Sequence, residues 1–251
     1  MATREFSLLP PPASVPLHTF VLSGLKMLWM SLVTENPLTW DRVQGRSHPR
    51  ADVTGPFYVI GAPNVNFAPG KAVLGAAEDL KSSPLFLFSG KILGPNGEPV
   101  AATLDLWQAN TSGMYALTSY RNRGKVSTDP ATGKFEVLTV PPAQYGISAS
   151  VMRAAHIHAI ISAPGYQPIV TQFYLASRND PTPLKKDWQV LIQRPGWAVP
   201  TDKGDLFWDL PQLKDSDTEG VKLVAEWNGY LQNHGLKISC GASDIIKLNK
   251  A

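Results

Sequence analysis

Two of the five histidines lie two residues apart in Arg153-Ala154-Ala155-His156-Ile157-His158-Ala159-Ile160-Ile161, an apolar run of strand character. Successive strand side chains alternate in face, so His156, His158 and Ile160 point to one side and Ile157, Ala159 and Ile161 to the other. Two imidazoles on one inner face need partners. A shared metal would supply one, but neutral imidazole suits iron, zinc and copper alike, so the motif by itself names neither metal nor reaction. Taken alone, a hydrogen-bonded pair of half-buried histidines is the commoner outcome, by roughly two to one.

Two tyrosines change the balance. Leu106-Trp107-Gln108-Ala109-Asn110-Thr111-Ser112-Gly113-Met114-Tyr115 ends a strand in a glycine turn that presents Tyr115, and Pro141-Pro142-Ala143-Gln144-Tyr145-Gly146 presents Tyr145 shortly before the histidine strand. Either tyrosine singly fits a core position with a bonded hydroxyl, as is common in β-sandwiches. With Gly55-Pro56-Phe57-Tyr58, Arg123-Gly124, Thr128-Asp129, Thr171-Gln172-Phe173-Tyr174 and Phe207-Trp208-Asp209-Leu210 they form an ordered set. That set resembles the intradiol ring-cleavage dioxygenases, in particular the catechol 1,2-dioxygenase and hydroxyquinol dioxygenase branch, over well more than half of the chain.

The resemblance implies that Tyr115, Tyr145, His156 and His158 bind ferric iron, Fe(3+), and that a catechol-type ring is opened with O2 between its hydroxyl-bearing carbons. Phenolate is a hard anionic donor, and a trivalent ion lowers a tyrosine pKa far enough to bind it deprotonated. Tyr145 would be the ligand that leaves and acts as base. Arg153 would stabilise negative charge on the ring, and Gln172 would lie near the oxygen-binding side. Val53, Pro56, Tyr58 and Leu106 fall near pocket-lining positions of relatives. The chain departs from the pattern at Ala154, where proline is usual, at Gln108, where histidine is common, and in a short connection between Tyr145 and Arg153. A ferric enzyme performing another oxidation or a Lewis-acid reaction on a phenol, and a non-catalytic β-sandwich binding module, are the competing readings.

The elements that must position these residues are mainly β. Strands are expected over Leu85 to Leu93, Val100 to Gln108, Phe135 to Val140, His156 to Ser162 and Val170 to Leu175, with Gly94-Pro95-Asn96-Gly97 as a tight hairpin turn. Short runs between turn signals suit an antiparallel β-sandwich core, and short helical segments flank it at both ends. Residues 1–50 are expected to be a helical, dimer-forming segment, 51–213 the catalytic domain and 214–251 a helical extension. In that extension Ser216 and Glu219 form a capping box for a helix over Ser216 to Asn233. Near the N-terminus Val21, Leu25, Leu28, Trp29 and Leu32 recur at helical spacing, as expected of a face packed on the domain or on a second copy. His18, Ser23 and Lys26 interrupt this run, which argues against a membrane span or a signal.

Composition sets the outer bounds. With 251 residues and 43% hydrophobic content the chain can bury a substantial core. Its 20 glycines and 22 prolines exceed the usual ~12% combined share and point to turns rather than long helices. A net charge of +3 from scattered basic residues indicates neither a nucleic-acid surface nor a membrane patch, which leaves a small molecule as the partner class; the resemblance implies O2 and a homodimer besides. The single cysteine, Cys240, excludes an internal disulfide and accords with a cytoplasmic setting.

Overall fold

The computed structural model describes residues 13–36, 43, 48–148, 151–175, 182, 187 and 218–251. The described chain is mainly β. In order it runs α1 (Leu17–Trp29, continued by a π-helical turn Met30–Thr34), β1 (Asn66–Ala68), β2 (Lys71–Val73), α2 (Ala77–Ser82), β3 (Leu85–Leu93), β4 (Thr103–Gln108), β5 (Arg123–Ser127) and β6 (Lys134–Thr139). It continues with β7 (Tyr145–Ser148), β8 (Val151–Arg153), β9 (His156–Ser162), β10 (Ile169–Tyr174), α3 (Thr218–Leu231) and β11 (Ile238–Lys247).

These strands form a five-stranded sheet ordered β1-β2-β6-β3-β11, a four-stranded sheet ordered β10-β9-β4-β5 and a β7-β8 hairpin. The inner faces of the two larger sheets share one core. Phe86, Phe88, Phe135, Val137 and Ala242 from the first meet Leu104, Leu106, Val126, Ile157, Ala159, Ile161 and Phe173 from the second. Phe88 lies at its centre, edge-on to both Phe135 and Phe173 at 5.0 and 4.9 Å, the geometry in which ring edge meets ring face. The five-stranded sheet is covered on its other side by α3, whose Trp227 and Leu231 bury against Leu85, Leu87, Leu138 and Ile238.

Several expectations are corrected. Gly94-Pro95-Asn96-Gly97 turns as expected, with Gly97 at φ 86°, but β3 and β4 do not pair with each other. The turn instead carries the chain from one sheet to the other, and only the Leu93–Pro99 bridge remains of a hairpin. Not every pairing is antiparallel, since β2 runs parallel to β6 and β11 parallel to β3. The C-terminal segment is helical only through His234; a ten-residue strand follows and supplies Ala242 and Ile246 to the core. Its helical periodicity was legible, whereas β11 reads as a mixed polar run because only alternate residues face inward. The capping-box residue Ser216 lies outside the described residues. On α1 the apolar face is not the packed one. Ser23, Met27 and Met30 are buried, while Val21, Leu25, Leu28, Trp29 and Leu32 are all more than half exposed. Leu17–Thr34 is long and apolar enough to cross a membrane by length and composition.

Because Phe135 is fully enclosed between the sheets, Phe135→Ala is expected to cost about 3–5 kcal/mol of stability. Chemical denaturation of the purified variant measures this. A loss under 1 kcal/mol would show that the two sheets do not close on this ring.

Candidate metal centre

The histidine strand β9 lies between β4 and β10, with Trp107 and Gln172 directly opposite His158 and Tyr174 opposite His156. This register places Ile157, Ala159 and Ile161 in the core. The imidazoles therefore lie on the outer face of the four-stranded sheet rather than on an inner one, which corrects the expectation from the sequence. They are still only 1% exposed. Their cover comes from the segment after Asp52, the two tyrosine loops and the packed side of α1, whose Met27 and Met30 cluster with Tyr58 and Trp107.

The side chains converge on one point. The Nε2 atoms of His156 and His158 are 2.9 Å apart, and the Tyr115 hydroxyl is 3.2 Å from each. Tyr145 completes the group: its ring lies edge-on to Tyr115 at 5.5 Å and tilted to His156 at 5.8 Å. Nδ1 of His156 donates to the Ala154 carbonyl at 2.6 Å, which fixes the tautomer and leaves its Nε2 lone pair facing the others. Nδ1 of His158 is buried without a hydrogen-bond partner, so in the metal-free state His158 can carry its proton on Nε2 and donate it to His156. A cation at the convergence point would take that proton's place. Two imidazole nitrogens and two phenol oxygens are a donor set that fits a hard, highly charged metal ion. Among the described residues no cluster of three or more His, Cys, Asp or Glu forms a rival site.

Burial dominates the electrostatics. Desolvation pushes both imidazole pKa values well below the ordinary value, with Arg153 adding to the effect, so both rings are neutral and available as ligands. Desolvation likewise raises the Tyr115 and Tyr145 phenols, while the Arg153 charge opposes the rise at both. Arg153 itself is 2% exposed. Burial works against its charge, but Tyr174, Asp187 and Tyr145 more than offset this and hold the guanidinium protonated. Its Nε donates to both Asp187 oxygens at 3.0 and 3.1 Å, one Nη to Gln172 Oε1 at 2.6 Å and the other to the Tyr145 hydroxyl at 3.5 Å. Gln172 in turn donates to the Val53 carbonyl at 2.8 Å. Arg153, Gln172 and Val53 thus form one chain of contacts that ends on Tyr145.

Other expected pocket residues are distributed differently. Pro56 is exposed at the edge of the covering segment. Tyr58 backs the site instead of lining it: its hydroxyl donates to Asp105 and its ring tilts against Trp107 at 4.9 Å. Leu106 is a core residue between the sheets and does not reach the site, because it alternates with Trp107 along β4. Three residues escaped the sequence reading. Trp107 stacks on His158 at 4.7 Å with 4° between the planes, a contact that depends on the β4–β9 register. Phe57 stacks on Tyr115 at 4.5 Å. Asp187, fully buried, also accepts from the Ala154 backbone N–H at 2.9 Å; it has no local motif to mark it. Gly113, at φ 79°, brings the two tyrosine loops together, since a Cβ there would stand 2.9 Å from both the Gln144 carbonyl and Tyr145 Cβ.

A family model described as Dioxygenase matches residues 53–187, more than half of the chain. With the two-sheet fold and the converging tyrosines and histidines already in place, the chain belongs to this dioxygenase family. It is similar to the 6-chlorohydroxyquinol 1,2-dioxygenase of Cupriavidus pinatubonensis, at 32% identity over 60% of this chain and 56% of the relative. It is similar also to the catechol 1,2-dioxygenase of Acinetobacter baylyi, at 30% identity over 67% of this chain and 57% of the relative. The chain therefore spans little more than half the length of these relatives. In fold it resembles the solved catechol 1,2-dioxygenase of Acinetobacter radioresistens, with a TM-score of 0.62 at 21% identity over 92% of this chain and 76% of that one. The hydroxyquinol 1,2-dioxygenase of Pseudomonas putida gives 0.57 at 22% identity over 92% and 81%.

The depressed imidazole pKa values have a sign that can be measured. The unfolded chain binds protons at His156 and His158 below about pH 6.5, whereas the folded chain does not. Their contribution is therefore present above that pH and lost as pH falls, at roughly 1.4 kcal/mol per pH unit for each imidazole. Denaturation of metal-free protein between pH 7 and pH 5 should show this slope, and His158→Gln should reduce it. An identical slope in the variant would show that His158 is not buried in its neutral form.

Proposed function

We propose that the protein is a non-haem iron dioxygenase that opens a catechol-type ring between its two hydroxyl-bearing carbons, adding both atoms of O2 to give a muconate-type diacid. The observation that carries this reading is the convergence of both Nε2 atoms and the Tyr115 oxygen within 3.2 Å, with Tyr145 beside them. Tyr115, Tyr145, His156 and His158 would hold Fe(3+), which supplies Lewis acidity toward the paired hydroxyls and electronic access to O2. The fold is read as a β-sandwich whose outer face bears the site.

The protein's own groups divide the remaining work. Held as phenolate by a bound ferric ion, Tyr145 would take a proton from a substrate hydroxyl, and Arg153, held by Asp187 and Gln172, would steady the charge that develops beside it. His156 is fixed by Ala154, and His158 is held flat by Trp107. Phe57 stacks over Tyr115 and covers one face of its ring. O2 and the ring are the small-molecule partners. The names of the relatives support a catechol-type substrate.

Tyr145→Phe should retain iron yet lose most turnover, because three ligands remain while the base is gone. His156→Ala should empty or strongly weaken the site. Iron content, a red-brown phenolate-to-iron absorption and 18O-labelled products from a catechol and hydroxyquinol panel read both outcomes. An active, iron-replete His156→Ala protein would sink the ligand assignment.

The uncovered face of α1 supports a homodimer in which two such faces meet. Its inner side is already docked, through Ser23 Oγ accepting from the Ile60 N–H at 3.1 Å and Lys26 lying 4.9 Å over the Tyr58 ring. The outward leucines are left to a second copy. Leu25→Glu with Leu28→Glu should yield a monomer in sedimentation experiments. A dimer of unchanged stability would place the interface elsewhere.

A further inference from the structure

Tyr115 is delivered by residues 109–122, which belong to no strand. The near side of this loop is fixed locally, with Asn110 Oδ1 accepting from the Ser112 and Met114 N–H groups at 2.9 and 3.0 Å. Its far end is anchored to other elements, with the Thr118 carbonyl accepting from the Val15 N–H at 2.8 Å, the Tyr120 N–H donating to the Ala13 carbonyl at 3.0 Å and Arg121 paired with Asp79. The stretch next to Tyr115 is held by one further bond. Arg123, at the start of β5, donates from Nε to the carbonyl of Ala116, the residue after Tyr115, at 2.7 Å.

Arg123 is an expensive residue to keep there. It is 2% exposed, and both Nη1 and Nη2 are buried without a hydrogen-bond partner. Burial lowers its pKa to about 10. The carboxylate within electrostatic reach, Asp105, accepts from the Tyr58 hydroxyl instead. A desolvated guanidinium making a single side-chain bond destabilises a fold, and an apolar residue would fill the place at lower cost. Its position in the sheet gives the reason. Arg123 is opposite Trp107, and Trp107 is opposite His158, so the three occupy one rung across β5, β4 and β9. The Arg123–Ala116 bond therefore links the rung that bears an imidazole to the loop that bears a phenol.

We infer that Arg123 is a positioning residue for Tyr115, setting the depth of the phenol oxygen against the His156 and His158 Nε2 atoms. This rests on the ferric reading of the site, but the loop's dependence on Arg123 can be measured without iron. In metal-free Arg123→Met, hydrogen exchange should quicken about tenfold over residues 109–122, as loss of one hydrogen bond implies, while β9 stays protected. If Arg123→Met does not fold by circular dichroism, Arg123→Lys, which also lacks the Nε donor, carries the same readout. In the Tyr145→Phe background the visible iron band reports Tyr115 alone. There the Arg123 substitution should shift that band and weaken iron retention against a chelator by about 10–100-fold. Unchanged exchange over 109–122 in a folded variant overturns the inference, whatever the iron content. A looser loop with an unshifted band and unchanged iron retention also overturns it, since Arg123 would then support the loop without setting the ligand. Wild-type protein that takes up no iron refutes the ferric reading instead, and the exchange result still decides whether Arg123 holds the loop.

Discussion

The alternation of side chains along β9 is the constraint from which the rest of the site follows. Ile157, Ala159 and Ile161 are drawn into the core, and this obliges His156 and His158 to share the opposite face. A slip of one residue would bury both imidazoles between the sheets and expose three apolar side chains. Pairing on both sides of β9 prevents that slip, since six residues of β4 and six of β10 are in register with it. The position of the imidazoles is thus set by hydrophobic burial elsewhere, and the covering elements need only bring the tyrosines to them.

The polar groups of the site are stabilised as a set. Arg153 would be costly to bury alone, but Asp187, Gln172 and Tyr145 each accept from it, and Asp187 also holds the Ala154 N–H at the entrance to β9. A carboxylate and a guanidinium that satisfy each other in a dry environment form a stiff bracket. The bracket links the β8–β9 corner to β10 and, through Gln172, to the Val53 carbonyl. The same groups that hold the backbone at this corner thereby set the charge next to Tyr145.

Much of this was legible in the sequence because it depends on local pattern. The five expected strands coincide with β3, β4, β6, β9 and β10 within a few residues, and the four chemistry-bearing residues do meet in space. What was not legible depends on register and on long-range pairing. The period of two assigned His156 and His158 to a common face but could not say which face was inner. Helical periodicity found the apolar side of α1, yet Ser23, Met27 and Met30 make the contact, because the docking surface around Tyr58 and Trp107 comes from residues far along the chain. Leu106 and Trp107 are neighbours in sequence with opposite destinations, and only strand pairing distinguishes them. Asp187 and β11 lacked a signal for the same reason: each gains its role from a partner more than 30 residues distant.

The close approach at Gly113 also bears on how such a protein can change over generations. There is no room for a Cβ between Gly113 and the Gln144–Tyr145 backbone, and the Asn110 carbonyl accepts from the Ala143 N–H at 3.1 Å, so the loops that deliver the two phenols are in direct contact. A substitution in one loop is then felt by the other, so variation that reshapes the entrance must arise in compensating pairs or in segments that avoid this contact. Pro56, exposed at the edge of the covering segment, takes no part in that contact, and there substitutions can accumulate one residue at a time.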